Sequence, residues 1–356
     1  MKTWWTGQKL CVGVLSSAVF LVLALQQVEW ARTIATLRDV DWGWVCLGIG
    51  AAVATIVTFA FRWRLLLSRT TDISVQNTFS YIMIGYLTNI IFPLRVGEVA
   101  RAVLLGKRHG IRASVIFGSV VLERTLDVLT ILMVAAGVSF LMDIPPAVRA
   151  GMILFAAAGL AALLTLLFLA RSGSCVLSRI AGFSGFASSV LAERLAVFVG
   201  RFAEGLSTLR NGRELWSALC LSAVAWGIAG TGTICYIAAF HLRAPWYAGF
   251  FLLAVTNLGS AIPSSPGFIG VYHYLAVMAL SVWIPDRSEA LAYAIGTHGI
   301  SMITHVSIGC LCLAREGIAL QSIGVADQPV QEPTVSQEKD GRSLLISRAS
   351  LTDRHP

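Results

Sequence analysis

Apolar residues along this 356-residue chain gather into long runs separated by short polar breaks. The runs fall near residues 10–28, 43–61, 113–142, 150–170, 214–240, 247–262, 268–284 and 289–314. Several approach the ~20 residues that a helix needs to cross a bilayer. They predict an all-α polytopic membrane protein with about eight transmembrane helices. The first run, Leu10 to Leu25, follows Lys2 and Lys9. It is longer than the core of a usual cleaved leader, and no small-x-small site follows it, so it reads as an uncleaved first transmembrane helix.

A further apolar stretch, residues 79–93, is short and ends at Pro93. Charge decides how to place it. With the N-terminus inside, most Lys and Arg fall on internal segments, among them Arg62, Arg64, Arg69, Arg101, Lys107 and Arg112. Only Arg32, Arg38, Arg149, Arg243 and Arg287 fall outside, which is the asymmetry expected of cytoplasmic loops. A crossing at 79–93 would turn the basic stretch 101–112 outward. A re-entrant or interfacial segment avoids that conflict, because non-helical backbone at membrane depth is tolerated where protein buries it. The run 113–142 exceeds one simple crossing, so its first third reads as a tilted or partly cytoplasmic piece.

Residues 171–213 form the main internal loop. Leu191, Leu195, Phe198, Phe202, Leu206 and Leu209 recur in it at helical spacing, with charge on the other side. This predicts an amphipathic helix on the membrane or against the bundle. After Arg315 the chain turns rich in Gln, Ser, Pro and charge, so residues 1–320 read as the membrane domain and 321–356 as a disordered cytoplasmic tail.

Composition agrees: 56% of residues are hydrophobic and 13% charged, with a mean hydropathy of +0.75. A soluble domain carries about 25% charged residues. The net charge of +8 is topological rather than a nucleic-acid signature, since no nucleic-acid module accompanies it. The seven cysteines show no zinc or thioredoxin spacing and read as small hydrophobes. No metal site or cofactor motif is present, and HExxH, GxSxG, Walker and Rossmann patterns are all missing.

Candidate chemistry sits in three segments. IFPLRVGEVAR (91–101), preceded by Asn89, carries Arg95, Glu98 and Arg101; VLERTLD (121–127) carries Glu123, Arg124 and Asp127. A charge at membrane depth costs roughly 2.5–3.5 kcal/mol even on a lenient scale, so these groups must pair, face a wet cavity or bind something. The third segment, IPSSPGFIGVYH (262–273), cannot form a continuous helix. Ser264, Ser265 and Gly267 lie at its break, followed by Tyr272 and His273. Free N–H groups near a helix start at Phe268 would suit an anion. His298 and His305 lie seven apart on one face of the last run, suited either to a proton relay or to helix packing. The first and third segments share a spacing: Asn89 or Asn257, then Pro93 or Pro263, then Gly97 or Gly267. Broken helices in corresponding positions of two halves point to an internal repeat and a transporter site.

In that order, the segments FPLRVGEVAR, SVVLERTLD and IPSSPGFIGVYH resemble the membrane domain of the lysylphosphatidylglycerol synthase/flippase family, over residues 10–316. The resemblance implies an inner-membrane, multi-pass helical domain that moves or handles a lipid or lipid-linked molecule. It is similar to the stand-alone form, some members of which are associated with hopanoid biosynthesis; the soluble aminoacyl-transferase half is not in this sequence. The leading expectation is a transporter in which Arg95, Arg101 and Arg124 receive an anionic headgroup. Glu98, Glu123 and Asp127 would orient them, and the break near Pro263 would supply backbone donors. An integral membrane enzyme or accessory subunit acting on polyprenyl, hopanoid or phospholipid substrates is the alternative. A scaffold recruiting lipid-biosynthesis enzymes through 171–213 is a third.

Overall fold

A computed structural model describes residues 2–92, 96–142, 146–182, 206, 211–259 and 264–318. Among these residues the chain forms eleven α-helices and no strand. They are α1 (Lys2–Leu25), α2 (Trp30–Arg38), α3 (Trp42–Leu67), α4 (Val75–Ile91), α5 (Gly97–His109), α6 (Ala113–Ser139), α7 (Pro146–Gly182), α8 (Gly212–Ala239), α9 (Tyr247–Gly259), α10 (Val271–Leu280) and α11 (Arg287–Glu316). A 3₁₀ turn, Pro266–Phe268, precedes α10. The helices start where side-chain oxygens can satisfy orphan N–H groups. Asp41, Ser74, Asn211 and Asp286 cap α3, α4, α8 and α11. Gly110 and Gly317, at φ 68° and 64°, end α5 and α11 in the left-handed conformation that glycine adopts without cost.

α3, α8 and α11 are each long and apolar enough to cross a bilayer. The described end of α1 and α2 make a fourth such stretch, bent by 90°. Residues 149–165 of α7, α9, and 266–280 are shorter apolar helices. α6 has the length but carries Glu123, Arg124 and Asp127 at its middle. Large apolar side chains point outward along the bundle, such as Leu15, Leu154, Ile303 and Leu311. On a soluble protein such exposure would mark an interaction patch; here it is the face that meets lipid tails.

α3 and α8 lie at the centre, packed antiparallel. Gly48 meets the Tyr236 ring, Ala51 meets Gly232, Phe59 meets Trp226 and Arg62 meets Ser222. Small residues at 48 and 232 let the two backbones approach. Around this pair the elements repeat. In the first half α4 and α5 fold back on each other, with Gly85 against Gly97 and Arg101; a Cβ on Gly97 would run into the Gly85 carbonyl. In the second half α9 and α10 do the same, with Gly259 against Leu275. α4 packs on α11 and α9 on α6, while α5 packs on α6 and α10 on α11. Each half is thus a long helix, a broken hairpin and a second long helix. Because the counterparts α3 and α8 run antiparallel, the halves are inverted, the arrangement of many transporters.

One expectation changes. The run 113–142 does not divide: α6 is one continuous helix of 27 residues, roughly 40 Å long, and tilt suffices to hold it. The apolar stretch 79–93 becomes α4, and α5 returns along it, so the chain comes back to the end it left. This hairpin is the geometry that a re-entrant segment requires. The amphipathic pattern of 191–209 and the tail 321–356 lie outside the described residues, Leu206 excepted.

Candidate functional site

Three guanidinium groups and two carboxylates meet between α3, α5 and α6. Glu123 is 1% exposed, and its Oε1 accepts from Arg101 Nη2 at 3.0 Å and from Arg124 Nη2 at 2.6 Å. Arg62 Nη2 lies 3.8 Å from the same oxygen. Asp127 Oδ1 accepts from Arg62 Nη1 at 2.7 Å and from the Trp226 indole at 3.1 Å, while Oδ2 pairs with Arg124 at 3.3 Å. Arg62 also donates to Ser222 Oγ at 2.8 Å. Aromatic rings cover the cations: the Arg62 guanidinium sits 4.7 Å from the Phe59 centroid and Arg101 4.6 Å from that of Trp63.

Helical spacing builds this cluster. Glu123 and Asp127, four apart on α6, share a face toward α3, and Arg62 fills the space between them. Arg101 reaches Glu123 from the second turn of α5, which the α4 hairpin presses against α6. Charges so deep would be prohibitive alone; paired, each repays much of the other's desolvation. Some atoms stay unmatched: Glu123 Oε2, Arg62 Nε and Arg124 Nε are buried without a hydrogen-bond partner.

A cavity of about 420 Å³ opens beside the cluster. Arg124, whose side chain is 36% exposed, and Asp127 form part of its wall. From the first hairpin come Tyr86, Asn89 and Glu98; from the second break come Gly267, Phe268 and Tyr272. Trp226, Tyr236 and Asn257 contribute from α8 and α9, and His298 and His305 from α11. The two broken segments therefore line one cavity from opposite halves.

The sequence-predicted residues separate into three groups. Asn89, Glu98, Arg124, Asp127, Gly267 and Tyr272 face the cavity. Asn89 also holds the hairpin, its Oδ1 accepting the Gly97 N–H at 2.8 Å and its Nδ2 donating to Glu98 at 3.4 Å. Glu123 and Arg101 stand behind the wall, so Arg101 does not offer its guanidinium to an incoming headgroup. Nor does it pair with Glu98 one turn away; Glu123 is closer and buried. Ser264, Ser265 and His273 also lie off the cavity. Arg95 and Pro93, with Pro263, lie outside the described residues.

The break before α10 differs from its expected role. Three of its described backbone donors are engaged within the protein rather than free for an anion. The Ser265 N–H binds Ser17 Oγ on α1 at 2.8 Å, Phe268 N–H binds the Ser265 carbonyl, and Gly270 N–H binds His273 Nδ1 at 3.3 Å. Gly267 and Gly270 take φ of 71° and 88°, and a Cβ on Gly270 would strike the α1 backbone at Ser17. His273 stacks on His298 with centroids 4.9 Å apart, and Tyr272 bonds Thr297 at 3.0 Å. The break is a structural joint whose inner side reaches the cavity.

Sequence reasoning missed Arg62, Ser222 and Trp226. Arg62 precedes Arg64 and Arg69 and reads with them as an internal basic residue. Its neighbours differ, however: Phe59, Phe61 and Trp63 flank it, an apolar setting that a lone anchor does not need. Ser222 and Trp226 carry no signal of their own in an apolar helix. Among the described residues no group of three or more His, Cys, Asp or Glu comes together to hold a metal.

An inverted pair of helical halves around one largely apolar cavity, with a cluster of paired charges at its wall, defines a multi-pass membrane protein with a central cavity. The chain belongs to the family described as the lysylphosphatidylglycerol synthase TM region, which matches residues 10–309. It is similar to "Glycosyltransferase AglD" of Haloferax volcanii, 23% identical over 343 aligned positions that cover 84% of this chain and 54% of that protein. The chain thus spans about half the length of that relative. It is also similar to "UPF0104 membrane protein MJ1078" of Methanocaldococcus jannaschii, 27% identical over 230 positions, 63% of this chain and 91% of that protein. No solved structure matches it.

Proposed function

We propose that this protein is a flippase-type transporter of the cell's inner membrane, with both termini cytoplasmic, that moves an anionic lipid or lipid-linked intermediate. One observation carries the reading: the broken hairpins of two inverted halves converge on one cavity whose largely apolar wall carries a few polar and charged side chains, Asn89, Glu98, Arg124 and Asp127 among them. Such halves can exchange conformations, and so open the cavity to either side in turn. Within the cavity wall Arg124 is the exposed guanidinium of the cluster, and a guanidinium matches phosphate oxygens in a bidentate fork. The lipid tails would remain in the bilayer, since the cavity has the size of a headgroup site.

Proteoliposomes carrying fluorescent phosphatidylglycerol or a fluorescent polyprenyl phosphate test this. The protein should raise the fraction bleached by an impermeant reductant above the outer-leaflet share, for one lipid or both. Bleaching no faster than in protein-free vesicles for either lipid would rule it out. The glycosyltransferase-named relative supports a second reading, in which this domain presents a lipid carrier to a glycosyl-transfer enzyme. Lipid binding without translocation would favour that one.

A further inference from the structure

The second break is held in a bent form by a bond that a proton would destroy. Positive φ angles crowd there: Gly267 at 71°, Phe268 at 58° and Gly270 at 88°. Phe268 has a Cβ to strain, and such a conformation persists only where its surroundings enforce it. Part of that enforcement is the Gly270 N–H, which donates to His273 Nδ1 at 3.3 Å. A ring nitrogen that accepts an N–H carries no proton, so this bond defines a neutral imidazole with its proton on Nε2. A second proton would go to Nδ1, set one N–H against another and break the bond. Imidazole is also the side chain that gains a proton between about pH 8 and pH 5.

His298 joins this bond to the cavity. It lines the cavity together with Gly267 and Phe268, and its ring stacks on that of His273, 4.9 Å between centroids and 17° between planes. Two imidazolium ions so close repel, so the pair takes one proton and not two. The surroundings add few competing groups. α10 packs on α1, α9 and α11; residues 14–25 of α1 hold no titratable side chain, and α9 holds Tyr247 at its first position. α11 adds Tyr293 and His305, with Arg287, Glu289, Arg315 and Glu316 near its ends. α4, against α11 and the 3₁₀ turn, adds Tyr81 and Tyr86; α2 adds Arg38 and Arg32, the latter bound to Asp286 and Glu289. Tyr272 packs edge-on against His298, and Glu98, Arg124, Asp127 and Tyr236 share the cavity wall with it. Resting on the transporter reading above, we propose that the His273–His298 pair is a proton-binding site that couples headgroup movement to a proton. The neutral pair holds the break closed. One proton, drawn from the cavity side and placed on His273 Nδ1, releases Gly270 and lets Phe268 leave the cavity wall.

Two measurements on the full-length protein test this, one of shape and one of transport. For shape, spin labels replace Met278 on α10 and Ile303 on α11, both exposed, in a background without native cysteines. The distance between them, measured in nanodiscs, should shift by about 1–2 Å or more between about pH 8 and about pH 5, the scale of a helix displacement. His273→Asn keeps an acceptor near the Nδ1 position but cannot be protonated, and should hold the distance at its high-pH value throughout. For transport, proteoliposomes carry fluorescent phosphatidylglycerol or a fluorescent polyprenyl phosphate, and albumin extracts what reaches the outer leaflet. The transported lipid should cross about tenfold faster near pH 5 than near pH 8, and His273→Asn and His298→Phe should each reduce that ratio to within about twofold. A pH-dependent distance without transport of either lipid keeps the proton site and overturns the transporter reading. Transport with a flat pH profile and a fixed distance overturns the proton site and leaves the transporter reading standing. A pH dependence that survives in both histidine variants but disappears in Glu98→Gln or His305→Phe also overturns the assignment to this pair. Neither transport nor a distance change overturns both.

Discussion

Arg62 and Arg124 share the same carboxylates yet do different work. Arg62 is 0% exposed and bridges Asp127, Ser222 and Glu123 across three helices. Removing it leaves Glu123 and Asp127 short of a partner inside the bundle. Taking away one member of such a buried pair typically costs about 3–5 kcal/mol. Arg62→Ala should therefore lower the Tm of the detergent-solubilised protein by many degrees or abolish folded expression, as size-exclusion and thermal-melt traces would show. Arg124 has a third of its side chain open, and Glu123 keeps Arg101 when it is gone. Arg124→Ala should cost under about 2 kcal/mol, between a surface pair and a buried one, while losing lipid binding. If Arg124→Ala melts as early as Arg62→Ala, Arg124 is a structural member of the cluster and not the contact for phosphate.

At the scale of elements, the antiparallel pairing of α3 and α8 holds the inverted halves together. It follows from residues that no local rule would single out: Gly48 makes room for Tyr236, and Gly232 for Ala51. A Cβ built on Gly232 would lie 3.0 Å from that of Ala51. Disulfide-linked cysteines hold their Cβ atoms about 3.5–4.5 Å apart, so a small shift brings the pair into range. In a background without native cysteines, the double variant Ala51→Cys, Gly232→Cys should cross-link within one chain on mild oxidation. Proteolysis between α3 and α8 would then leave the fragments joined on a non-reducing gel. Separated fragments would contradict the antiparallel register. The hairpins obey the same logic, since Gly85 and Gly97 let α4 and α5 touch backbone to backbone and Asn89 closes the gap with one hydrogen bond.

At the scale of the molecule, the two ends of the bundle are tied differently. Arg69 grips Glu214 with two bonds of 2.7 and 2.8 Å at the end where α3 finishes and α8 begins. Arg32 reaches Asp286 and Glu289 where α11 begins. The proposed topology, which follows the Lys/Arg distribution, has the Arg69 end in the cytoplasm and the Arg32 end outside. Single cysteines in the 241–245 loop should react with an impermeant maleimide added to intact cells. Cysteines at 107–112 should react only after permeabilisation. Labelling of 107–112 in intact cells would mean that α4 crosses the bilayer and the hairpin does not return.

Much of this was legible in the chain. The bilayer demands long apolar helices, so hydropathy alone marked α6, α8 and α11 to within about three residues, while α1 begins earlier and α3 and α7 run on past the apolar runs that predicted them. The cost of charge at depth singles out Arg95, Glu98, Arg101, Glu123, Arg124 and Asp127 from sequence alone, and all but Arg95 lie among the described residues. The Asn–Pro–Gly spacing pointed to two equivalent breaks. What the chain could not decide was which charge meets which. Glu98 and Arg101 are one turn apart, yet Arg101 turns to Glu123 because α5 folds against α6, a contact made across 22 residues. Arg62, 65 residues from Asp127, joined the cluster for the same reason. Spacing along a helix sets which side chains share a face. The packing of one helix on another sets which face is buried, and so which charges are paired behind the wall and which are left to meet a ligand.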